Sequence, residues 1–313
     1  MTNYVVSSGI TSSGLTLLSG DTETVLAGGT ALATVVSNGA ILTVSSGGST
    51  SGSKVSSGGT EIVSGVENGG TISAGGTQVL GSGASGLNQN LSGGTAIISG
   101  GTATFGSLAN SGTITVLAGG SVNVPNPTSN WVGAAIIQVS SGGTAGSFAI
   151  SAGAVETVSS SGLASGAILR SGGTLILSSG GTASGSTVSS GGNLEIVGGA
   201  TVTGIVISSG GTETLLSGVV SSGVAITAGQ NYVVSSGATM STSTISSGGN
   251  LEVAAGAIVT GAVLSSGGTE TLLSGVVSSG VAITAGQNYV VSSGATMSTS
   301  TISSGGNLEV AAG

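Results

Sequence analysis

Residues 171–246 divide into four consecutive blocks of 19: SGGTLILSSGGTASGSTVS (171–189), SGGNLEIVGGATVTGIVIS (190–208), SGGTETLLSGVVSSGVAIT (209–227) and AGQNYVVSSGATMSTSTIS (228–246). Residues 208–256 and 265–313 are identical at a spacing of 57, which is three such blocks. Working outward, blocks of 19 also fit at 152–170, 133–151, 38–56 and 19–37, and residues 1–18 fit with Met1 at the second place. The middle is less regular: blocks 57–73, 74–91 and 92–109 fall one or two places short of the period, and 110–132 exceeds it by four. The chain reads as 16 blocks and a short stub, 304–313.

One column tests the alignment. The seventh place is Val, Ile or Leu in all 17 copies, from Val6 and Val25 through Leu177 and Val234 to Val310. The eighteenth place is as apolar in the regular blocks, with Val188, Ile207, Ile226, Ile245 and Leu264. The fourth place is Asn or Thr in 14 of 17, as in Asn193, Thr212, Asn231 and Asn250.

The period is too short for paired-helix repeats, whose units are far longer. The apolar residues are β-branched, run in groups of three to five and are broken by Gly-Gly or Ser-Gly, so no helical stripe is free of Gly. The consistent fold is all-β: a parallel right-handed β-solenoid of about 16 coils, in which each block is one coil of two or three short strands paired with the coils above and below. It spans 1–313 as a single repeat array. Each seventh-place side chain then stacks in the core, contributing on the order of 1.5–3 kcal/mol by burial. Gly supplies the positive φ that the corners need. At roughly 4.8 Å per coil the rod would be about 77 Å long.

One column resists this reading. Side chains alternate along a strand, so an inward seventh place implies an inward fifth. Yet the fifth place holds Leu194 and Tyr232 in some coils and Glu61, Glu156, Glu213 and Glu270 in others. A bulge or corner between the fourth and fifth places would resolve the conflict.

Composition removes whole classes of function. Gly is 63 of 313 residues, about three times the ordinary share of roughly 7%. There is no Cys, hence no disulfide, thiolate site or cysteine nucleophile, and no His, hence no imidazole base or usual zinc site. Two cations, Lys54 and Arg170, cannot form a nucleic-acid surface. A hydrophobic share of 38% and a mean hydropathy of +0.56 are too apolar for a solvated coil. Gly, Ser or Thr interrupts every apolar run before it reaches the length of a spanning helix, so no helical membrane insertion is expected. No cofactor and no enzymatic activity are expected.

The segments SGGTETLL (209–216), SSGGTEIVSG (56–65) and SGGNLEV (247–253) resemble the Gly/Ser-rich repeats in passenger domains of autotransporter adhesins, the group that includes the diffuse-adherence and self-associating adhesins of Gram-negative bacteria. The resemblance extends over nearly the whole chain. It implies a β-helix at the cell surface that mediates adhesion, autoaggregation and biofilm formation, with some members carrying heptoses on repeat serines. Two departures stand out. Residues 1–7 show no cationic or long apolar leader, and the alternating aromatic-flanked strands of a membrane barrel are absent. The expectation is a fragment, or the amino-terminal part of a larger exported protein.

Candidate sites follow from these readings. The resemblance points to corner serines such as Ser190, Ser209, Ser247 and Ser266 as acceptors for a glycosyltransferase, against plain corner hydrogen bonding. Block 110–132 carries both prolines and the single Trp, and Pro does not donate to a ladder. It reads as an excursion loop, and Pro125, Asn126, Pro127 and Trp131 form the candidate contact for a cell-surface glycan or protein. The repeat-copied carboxylates read as solvated ladder positions that keep the rod soluble, and calcium is not expected with a single Asp. Hydroxyl-rich, weakly charged faces suit lateral self-association. Residues 1–18 already read as a coil and the chain stops within another, so end-to-end association is the second expectation. The alternatives are an ice- or crystal-binding solenoid, disfavoured because the fourth and sixth places carry no matched Thr ladder, and a scaffold segment of a larger secreted protein.

Overall fold

Most blocks form one coil of three short strands, and in the shortened blocks 74–91 and 92–109 the second and third merge into Ser85–Ser92 and Thr102–Ala109. In the block that begins at Ser171 the three strands are Thr174–Leu177, Thr182–Ser184 and Thr187–Val188. Each pairs in parallel with its counterpart in the next block, through Leu177↔Ile196, Ala183↔Val202 and Val188↔Ile207. The computed structural model describes residues 1–109, 111–123 and 135–311. Across them the first strands build one continuous 17-stranded sheet that includes Asn3–Val6 and Asn307–Val310. The second and third strands build the other faces of a parallel β-solenoid.

The core follows from alternation. Thr174–Leu177 has its fifth and seventh places buried and its fourth and sixth half-buried, and the pattern recurs in Asn193–Ile196, Thr212–Leu215 and Asn231–Val234. The seventh-place column is buried from Val6 through Val291. Val310, in the last strand described, is 64% exposed. The middle residue of the second strand and the last of the third complete the core, as Ala183 and Val188 do. The fourth to seventh places form one unbroken strand, so no corner or bulge separates the fourth from the fifth. The fifth place does point inward, and its glutamates are inside the solenoid.

The Gly-Gly pairs divide two tasks. The first glycine turns the corner, as Gly172 at φ +76° and Gly180 at φ +77° do. The second permits close stacking. A Cβ on Gly173, at the third place, would lie 2.0 Å from the Ile150 carbonyl oxygen, and one on Gly181, at the eleventh, 2.3 Å from that of Val158. Where a preceding coil lies beneath, these two places hold Gly or Ala along nearly the whole chain. The exceptions are Val219 with Gln230 and, three blocks on, Val276 with Gln287.

Those exceptions coincide with breaks in two of the three faces. Thr201–Thr203 does not pair with Val220–Ser222, nor Val206–Ile207 with Ala225–Ile226. The same gaps separate Ile258–Thr260 from Val277–Ser279 and Val263–Leu264 from Ala282–Ile283. The first face stays paired across both, through Leu194↔Glu213 and Leu251↔Glu270. The glutamines occupy the gap. In an intact coil Ser246 N–H donates to the Ile226 carbonyl at 2.8 Å. At the breaks the side-chain amide intervenes: Thr227 N–H donates to Gln230 Oε1 at 2.7 Å, and Gln230 Nε2 donates to the Ile207 carbonyl. Gln287 does the same between Thr284 and Leu264.

Close approach therefore controls the ladder. Gly181→Val is expected to open a third break and to cost roughly 1–3 kcal/mol, as overpacking does. Val219→Gly combined with Gln230→Gly is expected to close one and raise the melting temperature. Thermal melts of both variants beside the parent check this, and a Gly181→Val protein that melts with the parent would refute it.

Candidate functional site

Ser190, Ser209, Ser247 and Ser266 all sit at the first place of a block, in the turn after the third strand, and all are exposed. The structure thus puts the sequence-selected serines in one corner row, spaced by the coil rise of about 4.8 Å or its multiples. A second exposed row was not singled out from sequence: Ser179, Ser217, Ser236, Ser274 and Ser293 occupy the ninth place, at the corner between the first and second faces. Each of these serines is followed by glycine, as in the first row. Glycine flanks both rows. A Cβ on Gly210 would meet the Ser190 hydroxyl at 2.5 Å, and one on Gly237 that of Ser217 at 2.6 Å. Glycine in the following coil thus leaves room for the serine hydroxyl, where any side chain would clash with it. Pro125, Asn126, Pro127 and Trp131 lie outside the described residues.

The carboxylates correct the sequence reading. Glu195 and Glu252, at the sixth place, face outward and are half-buried, with Asn193 Nδ2 donating to Glu195 Oε1 at 2.8 Å. The fifth-place acids are not solvated ladder positions. Glu23, Glu61 and Glu156 are 0% exposed, and Glu213 and Glu270 are also buried. Strand alternation places them in the core, and the core accepts them by two means.

The first is hydrogen bonding. Thr34 Oγ1 donates to Glu23 Oε2 at 2.8 Å. Glu61 Oε2 accepts from Gln78 Nε2 at 2.9 Å and contacts Ser53 Oγ at 3.0 Å. Glu67, at the middle of the second strand, meets the same Ser53 Oγ at 3.1 Å. Gln78 Nε2 also reaches Gln89 Oε1 at 3.2 Å. The Tyr232 hydroxyl donates to Glu213, and that of Tyr289 to Glu270.

The second is protonation. Ser53 has one proton to give and faces two carboxyls, so the pair is best satisfied when one carboxyl carries a proton and donates. Burial pushes both Glu61 and Glu67 up, and the charge of Glu61 pushes Glu67 further. Glu156 is the extreme case. Neither of its oxygens meets a hydrogen-bond partner among the described residues, and burial pushes its carboxyl up to about 8. Such an acid is neutral at pH 7, and an isolated one sealed in a core has no route to a substrate. Among the described residues no group of three or more acids could hold a metal ion. No helix is long and apolar enough to cross a membrane.

The raised carboxyls fix the sign of the pH dependence. Between the ordinary Glu range and about 8 the folded chain retains the Glu156 proton that the unfolded chain has released. Stability therefore falls as pH rises through that window, by up to ~1.4 kcal/mol per pH unit for each such group. Denaturant melts are expected to show a more stable protein at pH 5 than at pH 8. Glu156→Gln, which is neutral throughout, is expected to narrow that difference.

The comparisons with known proteins accord with this geometry. No protein-family model matches the chain, and no curated protein matches it. Among solved structures it is similar to one described as the crystal structure of a TibC-catalyzed hyper-glycosylated TibA55-350 fragment. The two share 27% identity at a TM-score of 0.51, over 99% of this chain and 94% of the other.

Proposed function

We propose that this chain is the repeat stalk of a surface-exposed adhesin of the autotransporter passenger type, and that its corner serines are glycosylated. It works without enzymatic chemistry, holding a long hydroxyl-lined surface away from the cell for adhesion, self-association or biofilm formation. The observation that carries the reading is the pair of exposed serine rows, each hydroxyl flanked by a bare glycine of the next coil. A glycosyltransferase needs an acceptor oxygen that is accessible and repeated in a fixed frame, and both rows offer it. Similarity over nearly full length to a hyper-glycosylated fragment supports the same assignment. A low charge density, with Glu156 and one of the Glu61–Glu67 pair held neutral in the core, reduces repulsion between neighbouring rods.

The intact mass of the protein from its native host tests the modification. Excess mass in sugar-sized steps is expected, mapping to Ser190, Ser209, Ser247, Ser266 and the second row. An unmodified mass would remove the glycosylated stalk from consideration. Displayed on cells, the chain is expected to drive settling of a suspension. Replacing the serines of both rows by alanine is expected to change that settling while leaving the melting temperature nearly unaltered, because exposed substitutions usually lie within about 0.5 kcal/mol.

A further inference from the structure

Both ladder breaks open onto cavities, and the smaller cavity at the second break repeats the one at the first. At the second break a space of about 480 Å³ is lined by Ala262, Val263, Glu270, Gln287 and Tyr289 among others. A smaller one of about 250 Å³ shares Val259, Glu270 and Ser278 with it. At the first break a space of about 280 Å³ repeats the lining three blocks earlier, with Val202, Glu213 and Ser221. The same glutamate column thus meets open space at both breaks, whereas Glu23, Glu61 and Glu156 are sealed.

The chemistry of the opening is that of a counter-ion site. Its acid is more than nine-tenths buried and has a single hydroxyl partner, Tyr232 or Tyr289. The chain's cationic side chains, Lys54 and Arg170, belong to earlier coils. One backbone carbonyl and one N–H lose their ladder bond there too. Thr244 N–H donates to the Val224 carbonyl in an intact coil, but the break removes the equivalent bond from Ala282 to Ala262. The walls beside the carboxyl combine Val, Ala and Leu with the polar Ser278, Ser279, Gln287 and Tyr289. An anion is repelled by the carboxylate, and a neutral apolar guest leaves it uncompensated. A short apolar stem ending in an ammonium satisfies both the wall and the charge. We propose that each ladder break binds one primary alkylammonium group, with Glu213 or Glu270 as its counter-ion. The two sites stand three coils apart, about 14 Å along the axis. The inference does not depend on the adhesive or glycosylated reading of the stalk.

Calorimetric titration of the full chain with n-butylammonium chloride at low ionic strength tests it, with n-butanol as the uncharged isostere. Two equivalents of butylammonium are expected to bind per chain, and n-butanol not measurably. Glu270→Gln is expected to leave one equivalent, and Glu213→Gln with Glu270→Gln none, while both proteins retain cooperative melting. Val276→Gly combined with Gln287→Gly, which closes the second break, is expected to remove one equivalent and raise the melting temperature. That variant keeps the test sound if a glutamine variant folds poorly. Nα-Acetyl-lysine methylamide distinguishes the source of the group: binding points to lysine side chains of a partner, and exclusion to free amines. No binding of butylammonium, equal binding of n-butanol, or two equivalents retained after both glutamates are replaced would each overturn the assignment.

Discussion

The distance at which one coil's backbone can lie on the next governs this molecule. A parallel ladder needs neighbouring strands about 4.8 Å apart, and at the corners that spacing drives α-carbons onto the carbonyl oxygens of the coil below. At Gly173 and Gly181 a Cβ would sit inside the van der Waals boundary of Ile150 or Val158, and where other intact coils carry a side chain at these places it is no larger than Ala. The continuous first face, the exposed serine corners and the stacked core all require that contact. So do the exceptions. Where Val219 and Gln230 or Val276 and Gln287 stand in those places, two faces part and the glutamine amide bridges what the backbone no longer can.

Much of this was legible in the repeat. The seventh-place column named the core, the Ser-Gly corners named the exposed hydroxyls, and the period excluded helices. Alternation argued that the fifth place faces inward. The hesitation came from Glu61, Glu156, Glu213 and Glu270, because a charged group does not belong in an apolar core. The geometry was right, and for Glu156 and one of the Glu61–Glu67 pair the charge was the wrong assumption, since a carboxyl held protonated is a polar but neutral side chain. Glu213 and Glu270 are met instead by a tyrosine hydroxyl and border open space. The second ladder-controlling signal was also in the sequence. Val219 and Gln230 are bulky residues in columns otherwise filled by Gly or Ala, but reading them needed the knowledge that those columns touch the neighbouring coil. The loop carrying Pro125, Asn126, Pro127 and Trp131 is a sequence inference that falls outside the described residues.

Buried acids also change how the chain's charge should be reckoned. The formal net charge of −8 counts every carboxylate as ionised. Glu156 and at least one of the Glu61–Glu67 pair do not contribute at neutral pH. The surface that a second rod meets is less negative than the composition suggests, and it is dominated by hydroxyls and amides.

The ladder breaks have a mechanical consequence as well. A stalk that joins two surfaces is loaded in tension along its axis, and each coil hands that load to the next through its interstrand hydrogen bonds. Between most described coils three faces share it. At the boundaries before residues 209 and 266, the first face, corner bonds such as Gly191 N–H to the Gly210 carbonyl and Gly248 N–H to that of Gly267, and one glutamine amide carry it. Pulled from its ends, the rod yields at those two joints before its other coils separate, extending in steps set by the segment between them. In the stalk proposed above, those joints would take up load before it reaches the contact at the tip.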